Sequence, residues 1–108
     1  MKWYRNLYID ETIKEKKLNK IKWKLNHNAG VLNIFLITLA SNSNNLLDII
    51  NAAELKQKAY PKDALYIIGI AKGYDSAIEI TTKIIMEVLR STDSLNIKKF
   101  IEDTGGME

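Results

Sequence analysis

With 108 residues, 46% of them apolar and 8% aromatic, the chain has the length and composition of one compact domain. Charged residues at 27%, five glycines and a single proline exclude collagen-like, low-complexity and linker-dominated readings. No cysteine is present, which excludes a disulfide framework, a thiolate nucleophile and a sulfur-ligated metal.

The formal net charge of +3 is unevenly placed. Residues 1–26 carry eight basic side chains against three acidic ones, so the rest of the chain is acidic by two. That split marks either a basic surface for nucleic acid or another acidic partner, or merely a well-solvated N-terminal quarter. The longest nearly apolar run, residues 31–40, is interrupted by Asn33 and Thr38 and falls short of the roughly 18 to 20 residues of a membrane span. Residues 3–8 lack the apolar core of a secretory signal, and a cytoplasmic protein with no membrane partner is the expectation.

In chain order, residues 4–9 are rich in strand formers and stop at Asp10-Glu11-Thr12, where acidic side chains suit the first turn of a short helix reaching about Leu18. Residues 20–26 alternate polar and apolar at every position. A strand brings Ile21, Trp23 and Leu25 onto one face, whereas a helix separates Trp23 from Leu25 by about 160°, and the alternation therefore predicts a strand. Asn28 and Gly30 suit a turn, so residues 20–40 are expected to form a β-hairpin in which Trp23 opposes Ile34 and Ile21 opposes Leu36. Lys20, Lys22 and Lys24 then line the opposite face of a strand near the sheet edge.

Ser41 to Asn45 should break regular structure, and an apolar run resumes at residues 46–50. Asn51 and Glu54 have the spacing of a capping box, which starts a short helix at Ala52 and ends it before Pro61. Residues 64–71 read as a strand buried on both faces, with Gly69 where a neighbour approaches closely. The clearest helix spans 76–90. Ala77, Ile78, Ile80, Thr81, Ile84, Ile85, Val88 and Leu89 fill about half its circumference, with Ser76 and Glu79 as a second capping box. Residues 97–101 suggest one or two more helical turns, and residues 104–108 a disordered tail.

Chemistry is sparse. GIAKGYDSA matches neither phosphate-loop spacing, and Asp75 at the helix start disfavours an anion. His27, the single histidine, sits in the expected hairpin loop as a surface residue. Asp48, Glu54, Asp63 and Asp75 are dispersed, with no pair that predicts a shared pocket. Tyr4, Tyr8, Tyr66 and Trp23 are potential stacking residues, but alternation puts Trp23 in the core, opposite the lysines. Lys20, Lys22 and Lys24 either guard an edge strand against aggregation or form a row of phosphate contacts.

The run ITLASNSNNLLDII, the AAELKQ segment and IIGIAKGYDSAIEI, together with IKWKL and NHNAG, resemble short uncharacterised proteins encoded on conjugative transposons and related mobile elements of clostridia and their relatives. The resemblance covers about residues 6–101. It implies a mobile-element setting and a small α/β fold, and it assigns no catalytic or binding residue.

The expected fold is α/β (α+β): one domain over residues 1–108, with a mixed sheet of about four strands that includes the hairpin at 20–40, and the helix 76–90 packed on one face. The expected function is that of a non-enzymatic accessory or interaction protein, monomeric and without cofactor or metal, acting on a protein partner through a surface. The alternative is a weak, sequence-nonspecific nucleic-acid binder using Lys20, Lys22 and Lys24. A small enzyme built from the dispersed carboxylates has no positive support.

Overall fold

The computed structural model describes residues 1–40, 45–57 and 61–108. Its sheet contains β1 (Lys2–Ile9), β2 (Ile34–Leu39), β3 (Leu47–Asn51) and β4 (Tyr66–Lys72), in the order β1-β4-β2-β3. β1 runs parallel to β4, while β2 is antiparallel to both β4 and β3, so the sheet is mixed, as expected. Among the described residues three helices accompany it: α1 (Glu15–Asn26), α2 (Tyr74–Thr92) and α3 (Ile97–Asp103). Short 3-10 turns over Ala52–Lys56 and Lys62–Ala64 link β3 to β4.

The sheet is covered on both sides. Leu18, Ile21 and Leu25 of α1 pack with Ala52 and Leu55 against Ile34, Leu36, Ile67 and Ile70. On the other face, Ala77, Ile84 and Val88 of α2 and Ile97, Phe100 and Ile101 of α3 pack against Tyr4, Ile37, Ile68 and Ala71. β4 is therefore buried on both faces apart from its ends. The pairing of Ile37 with Gly69 but Thr38 with Ile67 leaves one extra residue in β4, a bulge at Ile68. A Cβ on Gly69 would lie 3.1 Å from Ile80 Cγ2 and 3.3 Å from Ile37 Cβ, the close approach that glycine permits here.

The expected hairpin over residues 20–40 does not form. Residues 20–26 belong to α1, and the antiparallel hairpin is instead β2–β3, in which Leu36 pairs with Ile50 and Thr38 with Asp48. Leu18, Ile21 and Leu25, at i, i+3 and i+7, supply a helical stripe as complete as the strand alternation, and the two leucines and the lysines between them are good helix formers. Burial of that stripe against the sheet decides the conformation, leaving Trp23 outside. The helix ends where Asn28 takes a left-handed φ of 55° and Ala29 N–H donates to the Lys24 carbonyl at 2.9 Å. Lys62 Nζ donates to the Leu25 carbonyl at 3.0 Å, satisfying another terminal acceptor.

Three smaller expectations also change. α2 starts at Tyr74 with Gly73 (φ 88°) as its N-cap, so Ser76 lies inside the first turn rather than at the cap. The break expected over Ser41 to Asn45 lies outside the described residues except at Asn45, and the helix expected from Ala52 is a 3-10 turn in which Asn51 caps the Ala53 amide at 3.0 Å. Residues 104–108 are not a loose tail. Gly105 and Gly106, both at positive φ, turn the chain back along the free edge of β1, where Arg5 N–H donates to the Gly106 carbonyl at 3.1 Å and Glu108 N–H to the Trp3 carbonyl at 2.8 Å. Tyr4 Oη bonds Thr104 Oγ1 at 2.6 Å and fixes the turn. This segment covers the edge strand that would otherwise present unpaired backbone groups.

Candidate nucleic-acid interface

α1 holds the residues expected to form a lysine row, but the helix redistributes them. At 100° per residue, Lys20 and Lys24 lie on one flank while Lys22 turns roughly 160° away from each. Lys22 is half-buried, with Nζ 4.8 Å from the centre of the Trp3 ring, a cation–π contact that ties α1 to β1. Lys16 and Lys17, not singled out by strand alternation, join Lys20 and Lys24 in a sector of about 100°. Among the described residues, no carboxylate forms an ion pair with any α1 lysine.

Trp23 is the principal departure from the sequence reading. It stands almost diametrically opposite the buried stripe of α1, 58% exposed, beside Lys16 and Lys20. The His27 imidazole, one turn later, stacks on the indole with ring centres 4.1 Å apart and planes 17° from parallel. His27 Nδ1 lies 2.7 Å from the Trp23 carbonyl oxygen, so the ring donates there and is held in place. His27 is at the surface as expected, but it backs an exposed aromatic instead of standing in a hairpin loop.

The opposite flank of the lysine sector borders a shallow groove of about 330 Å³ between α1 and the following loop, lined by Lys17, Lys20, Lys24, Gly30 and Leu32. Leu32 is 89% exposed. Asn33, at a positive φ of 58°, then turns the chain into β2, and its carbonyl accepts Gly73 N–H at 2.8 Å.

Of the other aromatic residues singled out in the sequence, Tyr4 and Tyr8 serve the fold. Tyr4 is buried and stacks on Tyr8 at 6.1 Å. Burial and the adjacent Glu87 carboxylate push the Tyr8 hydroxyl well above its ordinary value. Tyr66 is exposed at the distant start of β4, with Lys2 Nζ 5.8 Å from its ring centre.

The start of α2 is taken by a carboxylate of the protein itself. Asp10, just past β1, accepts Thr12 N–H at 3.1 Å and Lys72 N–H at 3.0 Å. Burial pushes its carboxyl up, but these backbone bonds, with side-chain bonds from Thr12 and Ser76, outweigh burial and hold it below the usual carboxylate range. The junction is internally satisfied by its own anion. Among the described residues, no group of three or more histidine, aspartate or glutamate side chains is arranged to hold a metal ion. Among the same residues, no helix is long and apolar enough to cross a membrane.

The sequence signal for this site lay in the lysine count and in the Leu18, Ile21, Leu25 spacing, which as a helix also turns Trp23 away from the core. No protein-family model, curated protein or solved structure matches this chain.

Proposed function

We propose that this chain is a non-enzymatic interaction protein that holds nucleic acid, without reading its sequence, on the lysine flank of α1. The observation that carries this reading is the gathering of Lys16, Lys17, Lys20 and Lys24 in one sector with no ion-paired carboxylate among the described residues. Neighbours three and four apart on a helix are about 5 to 6 Å apart at Cβ, close enough for one phosphate backbone to meet several of them. Lysine meets phosphate as a point charge, and phosphate contacts position a ligand without specifying bases. The resemblance adds a mobile-element setting, in which such a protein would act as an accessory factor.

Titration of a labelled oligonucleotide at several salt concentrations tests the reading. Each productive lysine contact contributes about 0.7 to 0.9 to the slope of log K against log salt. Replacing Lys16, Lys20 and Lys24 with Gln should flatten that slope by roughly two to three. An unchanged slope, or no complex even at low salt, refutes it.

Leu32 favours a second reading, because an exposed leucine beside a basic groove suits an acidic protein segment that also offers an apolar side chain. Recovery of a protein from the native host that Leu32→Ser releases, with no oligonucleotide bound, would select it.

A further inference from the structure

We infer that the nucleic acid held on α1 is single-stranded, with one base stacked on the open part of the Trp23 indole. The inference rests on the nucleic-acid reading above and adds a ligand class to it. Trp23 faces away from the sheet and is 58% exposed, while the helix stripe that would otherwise enter a membrane or a partner groove is buried against the sheet. An aromatic ring left in water beside a cluster of lysines is the arrangement that binds single strands: the cations follow the backbone, and the ring accepts the π-face of any base.

Two details make Trp23 a prepared platform. His27 stacks on it at 4.1 Å and is itself tied by Nδ1 to the Trp23 carbonyl, so the indole is backed and little side-chain freedom remains to be lost on binding. A base on the open indole surface extends an existing two-ring stack. Lys16, Lys20 and Lys24 advance by about 6 Å per step along the helix axis, a stride that one nucleotide of an extended strand can cover.

Duplex fits this surface less well. Its bases are already stacked inside, so the indole contacts only backbone or groove walls. An anionic bilayer would attract the same lysines, but insertion calls for an apolar helix face, and that of α1 is committed to the core.

The experiment compares three labelled ligands of equal phosphate number in low salt: oligo(dT), the same strand with abasic spacers, and a hairpin duplex. Oligo(dT) should bind tightest. Trp23→Ala should weaken oligo(dT) by roughly five- to a hundredfold, leave the abasic strand and the duplex unchanged, and be largely rescued by Trp23→Phe. The Lys16, Lys20, Lys24→Gln variant should weaken all three. If the duplex or the abasic strand binds as tightly as oligo(dT), and Trp23→Ala alters none of them, the stacking inference falls while the nucleic-acid reading stands. If none of the three binds, both fall, and binding to phosphatidylserine vesicles in their place would assign the lysines to a membrane surface.

Discussion

Asp10 Oδ2 accepts the backbone amide of Lys72 at 3.0 Å, joining the end of β1 to the end of its parallel neighbour β4 at the point where the chain enters α2. The same carboxylate takes Thr12 N–H at 3.1 Å, so one side chain ties the loop before α1 to the end of β4, two residues ahead of α2. A negative charge at that position also meets the positive end of the α2 dipole.

Because the Asp10 carboxyl is depressed in the folded state, its contribution is present above the unfolded value, near 3.9, and is lost as pH falls through the folded value. Asp10→Ala should lower stability at neutral pH by about 1 to 3 kcal/mol. The variant should also lose less stability than the parent as pH falls below 4. Urea unfolding at pH 7 and pH 3 measures both effects; parallel losses in the two proteins would show that Asp10 carries no acid-sensitive share.

The register of α1 is tested by two neighbouring side chains. Leu25 is buried against the sheet, so Leu25→Ala should destabilise by about 2 to 5 kcal/mol. Trp23→Ala, at the exposed crown, should cost less than about 1 kcal/mol. Chemical denaturation of the two variants compares them directly. A strand over residues 20–26 would put both side chains on one face and make the losses similar.

At Gly69 the neighbours leave little room for a methyl group. Gly69→Ala brings a Cβ to 3.1 Å from Ile80 Cγ2 and 3.3 Å from Ile37 Cβ, and should destabilise by about 1 to 3 kcal/mol. Ile80→Ala removes the nearest obstructing atom. The double variant should therefore be less unstable than the two single losses predict, a coupling that a double-mutant cycle reads out. Strict additivity would mean that Ile80 is not what crowds the site.

The C-terminal segment closes the β1 edge through two backbone bonds, Arg5 N–H to Gly106 and Glu108 N–H to Trp3, and the latter leaves with the residue. Truncation after Thr104 should speed hydrogen exchange at the Arg5 amide and increase self-association, since an uncovered edge strand templates pairing with another chain. Exchange measured by NMR and sedimentation at several concentrations follow the two consequences separately. An Arg5 amide that exchanges at the parental rate would show that the segment does not protect the edge.

Where one periodicity alone fits, local sequence determined the element. The apolar run at residues 64–71, rich in β-branched side chains, forms the buried strand β4 over Tyr66–Lys72; residues 76–90 have helical spacing and lie within α2. The mixed α+β architecture follows from those segments with β2. Residues 18–25 satisfy two periods at once, since Ile21 and Leu25 belong to a strand face with Trp23 and to a helix stripe with Leu18. Tertiary structure resolved that tie, because β2 and β4 offer an apolar face that a helix covers with Leu18, Ile21 and Leu25, leaving the indole in water. The start of α2 was decided in the same way. Ser76 and Glu79 have capping-box spacing, but Asp10, brought from the far end of the chain by the parallel pairing of β1 and β4, supplies the carboxylate next to that turn. Spacing along a chain expresses only contacts between near neighbours, and both the orientation of the lysine helix and the anchoring of α2 depend on partners that the sheet alone brings within reach.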